Sequence, residues 1–355
     1  MNRPTLFIVV ALLLAGLFAS GCHGGGPGQK QTYSPGPPQG PPKMPEQELN
    51  PMVPVDAALV AAARQELSAN LRHEKPFVAA NAVEGLRYAT DPEAEAAIVA
   101  RHDDDAQAVR YAAAMVAGDL KLRSAMPRLV AHLDDRDRKV QVAVRYAMHK
   151  LGDFRHTAEL ADYLKDQHPQ GWVTGATVVA LGRLGERSAI PLLRQAAADP
   201  REAVRRQVNE ALLLLGDQSG REVISGYLAG PDVMFGLLAL AQAADPKLKL
   251  LAQQHLTYDV QEIALVAARA VAAMGGDDGY GVAMAGVKST VPNERALAAL
   301  AFGAIGRTDA QPMLAALLKD KDVNVRIAAA TAVLQIAKEP KRYTRKGELI
   351  AGPQG

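Results

Sequence analysis

A unit of about 31 residues recurs along this chain from residue 78 onward, and a unit that short cannot bury its own apolar face, so successive copies must stack. Its clearest copy runs from Val173 to Arg205, VTGATVVALGRLGERSAIPLLRQAAADPREAVR. Apolar or small residues at Val173, Ala176, Thr177, Ala180, Leu181 and Leu184 follow the three-and-four spacing of one helix stripe. Gly185 then ends the helix in a left-handed cap, a conformation that a residue with a Cβ adopts only at a steric cost. Glu186-Arg187-Ser188 makes the turn, with Ser188 the expected N-cap and Pro191 in the next first turn, where a missing N–H does no harm. The shorter helix that follows carries Ile190, Leu192, Leu193 and Ala196 and breaks at Asp199-Pro200.

With Val173 as marker, the equivalent positions are Val78, Val109, Val140, Val204, Val233, Ile263, Glu294 and Val325, at steps of 31, 31, 33, 31, 29, 30, 31 and 31. Every marker except Glu294 is β-branched, and around Glu294 the pattern is restored by Ala301, Gly303, Gly306, Ala310 and Pro312. The terminating glycine returns as Gly152, Gly216, Gly275 and Gly306. The start of the second helix returns as Ala125/Pro127 and Ala310/Pro312. Arginine follows the marker at Arg110, Arg205, Arg295 and Arg326.

The segments AVRYAAAMVAG, LGRLGERSAIP and DVNVRIAAATAV resemble the HEAT-like repeats of the phycobilin-lyase type. That resemblance covers roughly residues 56–338. It implies an all-α, right-handed α-solenoid of about nine helix-turn-helix repeats, in which the arginine after the marker pairs with acidic turn residues of a neighbouring repeat. Asp56 to Leu71 is expected to be a first helix without a partner, serving as the N-terminal cap. Near Val233 the stopping glycine gives way to Asp245-Pro246 and the step shortens, which signals either a change of curvature or simple decay of the repeat.

Upstream of the repeats, Met1 to Gly21 has one cation, Arg3, then an apolar run from Leu6 to Phe18 and small residues before Cys22. This is the pattern of an export signal, too short for a spanning helix. Ala19-Ser20-Gly21-Cys22 resembles the lipobox of bacterial lipoproteins, which implies a lipid on Cys22; an ordinary secretory signal with an incidental cysteine is the alternative. Cys22 is the only cysteine, so no internal disulfide can form. Residues 22–55 form a tether: between 23 and 55 lie nine prolines and six glycines with no periodicity. Its reach is about 30 Å as a coil and about 100 Å if extended. His23 after the cysteine favours, by the same resemblance, the periplasmic face of the outer membrane. At the other end, residues 339–355 read as a basic disordered tail, either solvated or in weak contact with anionic lipid or a partner.

Catalytic signals are sparse. His73-Glu74 resembles one of the His-Glu pairs of deoxyhypusine hydroxylase, but one pair cannot make a di-iron site. His102-Asp103-Asp104-Asp105 occupies a turn before a helix, where an acidic residue caps and suits the dipole. Asp199, Asp232 and Asp322 hold comparable places. There is no phosphate loop after a strand, no nucleophile elbow and no metalloprotease motif, so no catalytic, metal or cofactor residue is assigned. A formal charge of +2 over the chain gives no nucleic-acid footprint.

What remains is a non-enzymatic, lipid-anchored scaffold of the cell envelope that binds a protein or peptide. An enzyme, or a subunit of one, is the alternative that the repeat type implies; the oligomeric state is open. Counting the marker as zero, positions 2, 5, 6 and 9 face the concave side. They carry Tyr111, Met115, Arg145, Tyr146 and His149 in early copies and Phe235, Leu238, Leu265, Leu300, Ile327 and Leu334 later. So apolar a face is either a partner-binding groove or, if curvature is tight, packing between repeats.

Overall fold

The computed structural model describes residues 53–344 other than Thr90, together with residues 347, 349 and 350. The signal segment, Cys22 and the tether up to residue 52 lie outside the described residues. Among them, eighteen α-helices alternate between an outer and an inner layer. The outer helices are α1 (Ala57–Asn70), α3 (Pro92–Ala100), α5 (Met126–Ala131), α7 (Leu160–Tyr163), α9 (Ile190–Ala196), α11 (Gln218–Tyr227), α13 (Lys249–Gln253), α15 (Tyr280–Gly286) and α17 (Gln311–Leu317). The inner helices are α2 (Pro76–Gly85), α4 (Gln107–Leu120), α6 (Arg138–Lys150), α8 (Trp172–Leu184), α10 (Glu202–Leu214), α12 (Val233–Ala243), α14 (Gln261–Ala273), α16 (Pro292–Ile305) and α18 (Val323–Lys338). All nine markers fall on inner helices, so the period read from the sequence is the period of an all-α, right-handed α-solenoid.

Local chemistry explains the boundaries. Gly185 sits at φ +78°, and Gly152, Gly216, Gly275 and Gly306 are also left-handed, so each predicted stop is a left-handed cap. Where glycine is missing the chain still takes that turn, with Lys121 at φ 55° and Ala244 at φ 46°. Ala244, one residue before Asp245, is thus the cap near Val233, and packing between inner helices is sparsest there, between α10 and α12. Ser188 does not cap: it lies inside a 3-10 turn, and Ala189 precedes α9 without a side-chain bond. Asp56 does cap, accepting from the N–H groups of Ala58 and Leu59 at 2.6 and 3.0 Å. Asp322 accepts from Asn324 at 2.8 Å, and Asp199 from Arg201 at 2.8 Å.

Each inner helix packs on the next, and the series does not stop at the ninth: α18 packs on α1 and α2, closing the solenoid into a ring. Small residues permit the tight curvature. A Cβ on Gly118, Gly182 or Gly303 would fall 2.8, 2.9 or 2.9 Å from the Cα of Ala147, Ala211 or Ala332 on the following inner helix. At the seam, a Cβ on Gly85 would lie 2.5 Å from Thr331 Oγ1. One apolar cluster therefore joins Leu67, Val83 and Val109 of the first two repeats to Leu240, Phe302 and Val333 near the other end. A second cluster fills the repeats around Met148, Leu181 and Leu212. Helix α1 is accordingly not a partnerless cap but the outer helix of a repeat flanked on both sides.

Three of the four arginines after the marker form the implied ladder. Arg110 grips both carboxylate oxygens of Asp135 at 2.8 Å, and Arg295 those of Asp320 at 2.7 and 3.0 Å. Arg205 bonds the carbonyls of Asp199 and Pro200 instead. Arg326 reaches across the seam to Glu66 at 2.8 Å.

Residues after α18 correct the disordered tail expected at 339–355, as far as they are described. Strands β1 (Arg342–Tyr343) and β2 (Leu349–Ile350) pair antiparallel, with Arg342 opposite Ile350. Lys341 Nζ donates to the last carbonyls of α16, at Ala304 (2.7 Å), and Tyr343 OH to Ile305 O (2.6 Å). Cationic and hydroxyl donors here satisfy helix-end carbonyls that would otherwise be orphaned. No helix among the described residues is long and apolar enough to cross a membrane.

Candidate functional site at the polar centre of the ring

Inner position 6 carries Glu84, Tyr146, Glu210 and Arg269 in four of the nine copies, where the others have Met115, Val179, Ala239, Leu300 and Thr331. Positions 9 and 10 add Arg87, Tyr88, Asp119, Arg183 and Gln242. In an open solenoid these residues would face water. Ring closure buries them together.

Asp119, at the end of α4, is the hub: it accepts from Arg87 after α2, from Arg183 of α8 and from the Tyr146 hydroxyl of α6. Arg87 Nη1 also meets Glu84 Oε2 at 3.0 Å. Arg183 lies 5.6 Å over the Tyr146 ring. Glu210 of α10 accepts from the Gln242 amide of α12. Lys338 of α18 donates to the Arg87 carbonyl at 3.3 Å, joining the last repeat to the first.

Burial sets the electrostatics. It pushes Glu84 up to about 7 against the pull of Arg87 and Arg183, and Glu210 up to about 7 against Gln242 and Arg183. It would raise Asp119 as well, but Arg183 and Arg87 outweigh it and hold that carboxyl below its usual range. Tyr88 and Tyr111 rise to about 12 through burial, and burial brings Arg269 down to about 10. Several atoms in this centre have neither exposure nor a protein hydrogen-bond partner: Glu84 Oε1, Arg183 Nε and Nη1, and Gln242 Oε1. The arrangement sets a buried tyrosine hydroxyl on a carboxylate that two guanidiniums also share, and keeps these charges away from bulk solvent.

The residues singled out as a concave binding surface are dispersed by the closure. Met115, Tyr146 and Leu265 have no exposed surface, and Leu300, Ile327 and Leu334 are buried too. Arg145 is buried, with Nε and Nη2 on Glu159 and Nη1 on the Leu133 carbonyl. His149 is half-buried, bonded to Thr157 Oγ1 and edge-on to Phe154. Tyr111, Phe235 and Leu238 are half-buried against the core. The open groove is therefore corrected to inter-repeat packing: in a full turn of nine repeats the concave sides meet one another rather than water. Of this set, Tyr111 and Tyr146 border the polar centre beside Arg183. A Glu or Arg at a position shared with Leu and Met is the signal of that centre that the sequence carries.

On the outside, the rim formed by the N-terminal ends of the inner helices bears Phe77 (46% exposed), Trp172 (57%), Tyr258, Val260 and Val291. Between the first two repeats this rim holds a cleft of about 610 Å³ lined by Arg72, His73, Glu74, Arg101, Asp103 and Arg128 among others. His73 Nδ1 accepts from the Lys75 N–H, and His102 is buried with Nδ1 on the Val99 carbonyl.

A profile of HEAT repeats matches residues 64–149, 157–233 and 282–344. The chain belongs to the HEAT-repeat family. Among solved structures, it is similar to the complex of CpcE and CpcF of phycocyanin lyase from Nostoc sp. PCC7120, at 19% identity over 71% of this chain and 97% of that one, with a TM-score of 0.43. It is also similar to human deoxyhypusine hydroxylase, at 19% identity over 79% and 96% of the two chains, with a TM-score of 0.36. No curated protein matches it in sequence.

Proposed function

We propose that this HEAT-repeat protein is a non-enzymatic scaffold of the cell envelope, anchored by a lipid on Cys22 at the periplasmic face of the outer membrane, which holds a protein or peptide partner on the outside of its ring. The filled interior carries this reading: with the concave residues spent on packing, recognition falls to the rims, and the N-terminal rim displays Phe77 beside the cleft and Trp172 farther round. Large aromatic residues in such positions supply the anchors of protein interfaces. The lone Cys22 and the proline- and glycine-rich residues after it support a tether that presents the ring at a distance from the bilayer.

The test compares material co-purified from detergent-solubilised envelope by the lipidated wild type and by Phe77→Ser/Trp172→Ser. Loss of one partner in the variant, with helix content intact, supports rim recognition; undiminished capture overturns it. In parallel, Cys22→Ser is expected to release the chain from the membrane fraction or leave its precursor uncleaved. Normal processing and membrane retention would remove the lipid anchor from the account.

A further inference from the structure

The cleft of about 610 Å³ on the N-terminal rim is lined by the turn from α1 to α2 and by the turn from α3 to α4. Its volume lies in the range of ligand pockets, about 300–1,000 Å³. Arg101 lines it and is nine-tenths buried, at 9% exposure. Nη1 of Arg101 holds Asp104 Oδ2 at 3.2 Å, and among the described residues no other group accepts from this guanidinium. Nε and Nη2 are not sealed in the interior, so solvent reaches them, and the cleft is the opening that Arg101 lines. Arg110, Arg145 and Arg295 each give that same Nε–Nη2 edge to a carboxylate, on Asp135, Glu159 and Asp320. In Arg101 the edge is uncommitted, and its two parallel N–H donors fit a carboxylate.

The rest of the lining asks for a cation on the same ligand. Three arginines, Arg72, Arg101 and Arg128, stand against Glu74, Asp103, Asp104 and Asp105, an excess of one negative charge. Asp104 is on Arg101, and Asp103 is taken by Arg128 and His132. The carboxylates of Glu74 and Asp105 are exposed and have no partner among the described residues. Asp105 is fixed in place by its backbone, whose carbonyl accepts from Arg110 at 3.0 Å and from Arg136 at 2.6 Å. A carboxylate on Arg101 raises the negative excess to two, and a cation met by Glu74 and Asp105 offsets it. Pro76, Ala79 and Ala106 supply apolar wall beside these charges.

We propose that this cleft takes the C-terminal end of a peptide or protein whose last residue is lysine or arginine. The terminal carboxylate sits on the Nε–Nη2 edge of Arg101, and the basic side chain reaches Glu74 and Asp105. This assignment rests on the rim recognition argued above and names the chemistry of its partner.

The experiment measures fluorescence anisotropy of three labelled peptides with the full chain carrying Cys22→Ser. The probes are fluorescein-Gly-Ala-Ala-Lys with a free C-terminus, its C-terminal amide, and fluorescein-Gly-Ala-Ala-Ala with a free C-terminus. The lysine peptide with a free C-terminus is expected to bind tightest, and the amide at least about tenfold more weakly. Arg101→Gln should bring the free acid down to the level of the amide and leave the amide unchanged, a selective loss that mere damage to the fold does not give. Glu74→Gln/Asp105→Asn should remove the preference for lysine over alanine. No binding, an amide that binds as well as the acid, or displacement of the peptide by an equal concentration of free lysine overturns the assignment. Should Arg101→Gln lose its helical circular dichroism, the peptide series and Glu74→Gln/Asp105→Asn decide. Co-purification by Phe77→Ser/Trp172→Ser is read separately, so the cleft can fail while rim recognition stands.

Discussion

Arg326 on the last helix donates through Nε to Glu66 Oε1 on the first at 2.8 Å, across 260 residues of chain. The same position in earlier repeats pairs Arg110 with Asp135 and Arg295 with Asp320, each in the following repeat. The arginine of the ninth repeat, which in an open array would have no following repeat, finds its acid in the first. A ladder that continues past the end of the chain is the signature of closure.

The rungs are not equivalent. Arg110 and Asp135 are almost wholly buried, whereas the Arg326 and Glu66 side chains keep 27% and 21% of their exposure. Arg110→Met should thus cost about 3 kcal/mol, since it strands a buried carboxylate. Arg326→Met should cost roughly 0.5 kcal/mol. Urea unfolding of both variants checks the order; equal losses would mean that seam and interior rungs share one environment.

Two glycines separate steric from conformational causes. Gly85 has ordinary helical angles but no room, so Gly85→Val should destabilise by about 1–3 kcal/mol through the clash with Thr331 and Leu67. Gly185 has open space around it but φ +78°, so Gly185→Val should cost about 1–2 kcal/mol through strain alone. Thr331→Ala is expected to rescue part of the first loss and none of the second, as thermal melts of the double variants would show.

The left-handed caps without glycine offer the converse. Lys121→Gly and Ala244→Gly should each stabilise by roughly 0.5–1 kcal/mol, because relief of left-handed strain exceeds the entropy glycine adds to the unfolded chain. A lower melting point in both would mean that the two side chains contribute more than the strain removes.

Stability should fall on both sides of a mildly acidic optimum. His102, buried and held near 4 by desolvation, contributes stability above 6.5 that is lost as pH falls toward 4. Glu84 and Glu210, raised to about 7, contribute most below 4.5 and lose that contribution as pH climbs to about 7. The slope per group is at most about 1.4 kcal/mol per pH unit. Melting points of wild type and Glu84→Gln between pH 4 and pH 9 test the alkaline limb, which the variant should flatten.

Much of the repeat was legible because it is local. The stripe around Val173, the stop at Gly185 and the arginine after the marker each follow from a few neighbouring residues and a fixed backbone geometry. Closure was not, because it is the sum of small rotations over nine repeats, and no single copy encodes the total. The polar centre was hidden for the same reason: Glu84, Glu210 and Arg269 stand at a position that an open solenoid leaves in water, and only the ring turns that side inward. Likewise Lys341 and Tyr343 read as a basic tail, since the helix-end carbonyls that hold them come from α16, more than thirty residues upstream.

Closure is tested most directly by joining the two residues of the opening pair. Glu66→Cys and Arg326→Cys, in the full chain with Cys22→Ser, are treated at pH 6 with a short bifunctional maleimide and analysed by intact mass and peptide mapping. A closed ring predicts efficient cross-linking of 66 to 326 within one molecule, independent of protein concentration. Two reactive thiols that join only between molecules, or not at all, would show an open solenoid and contradict the account.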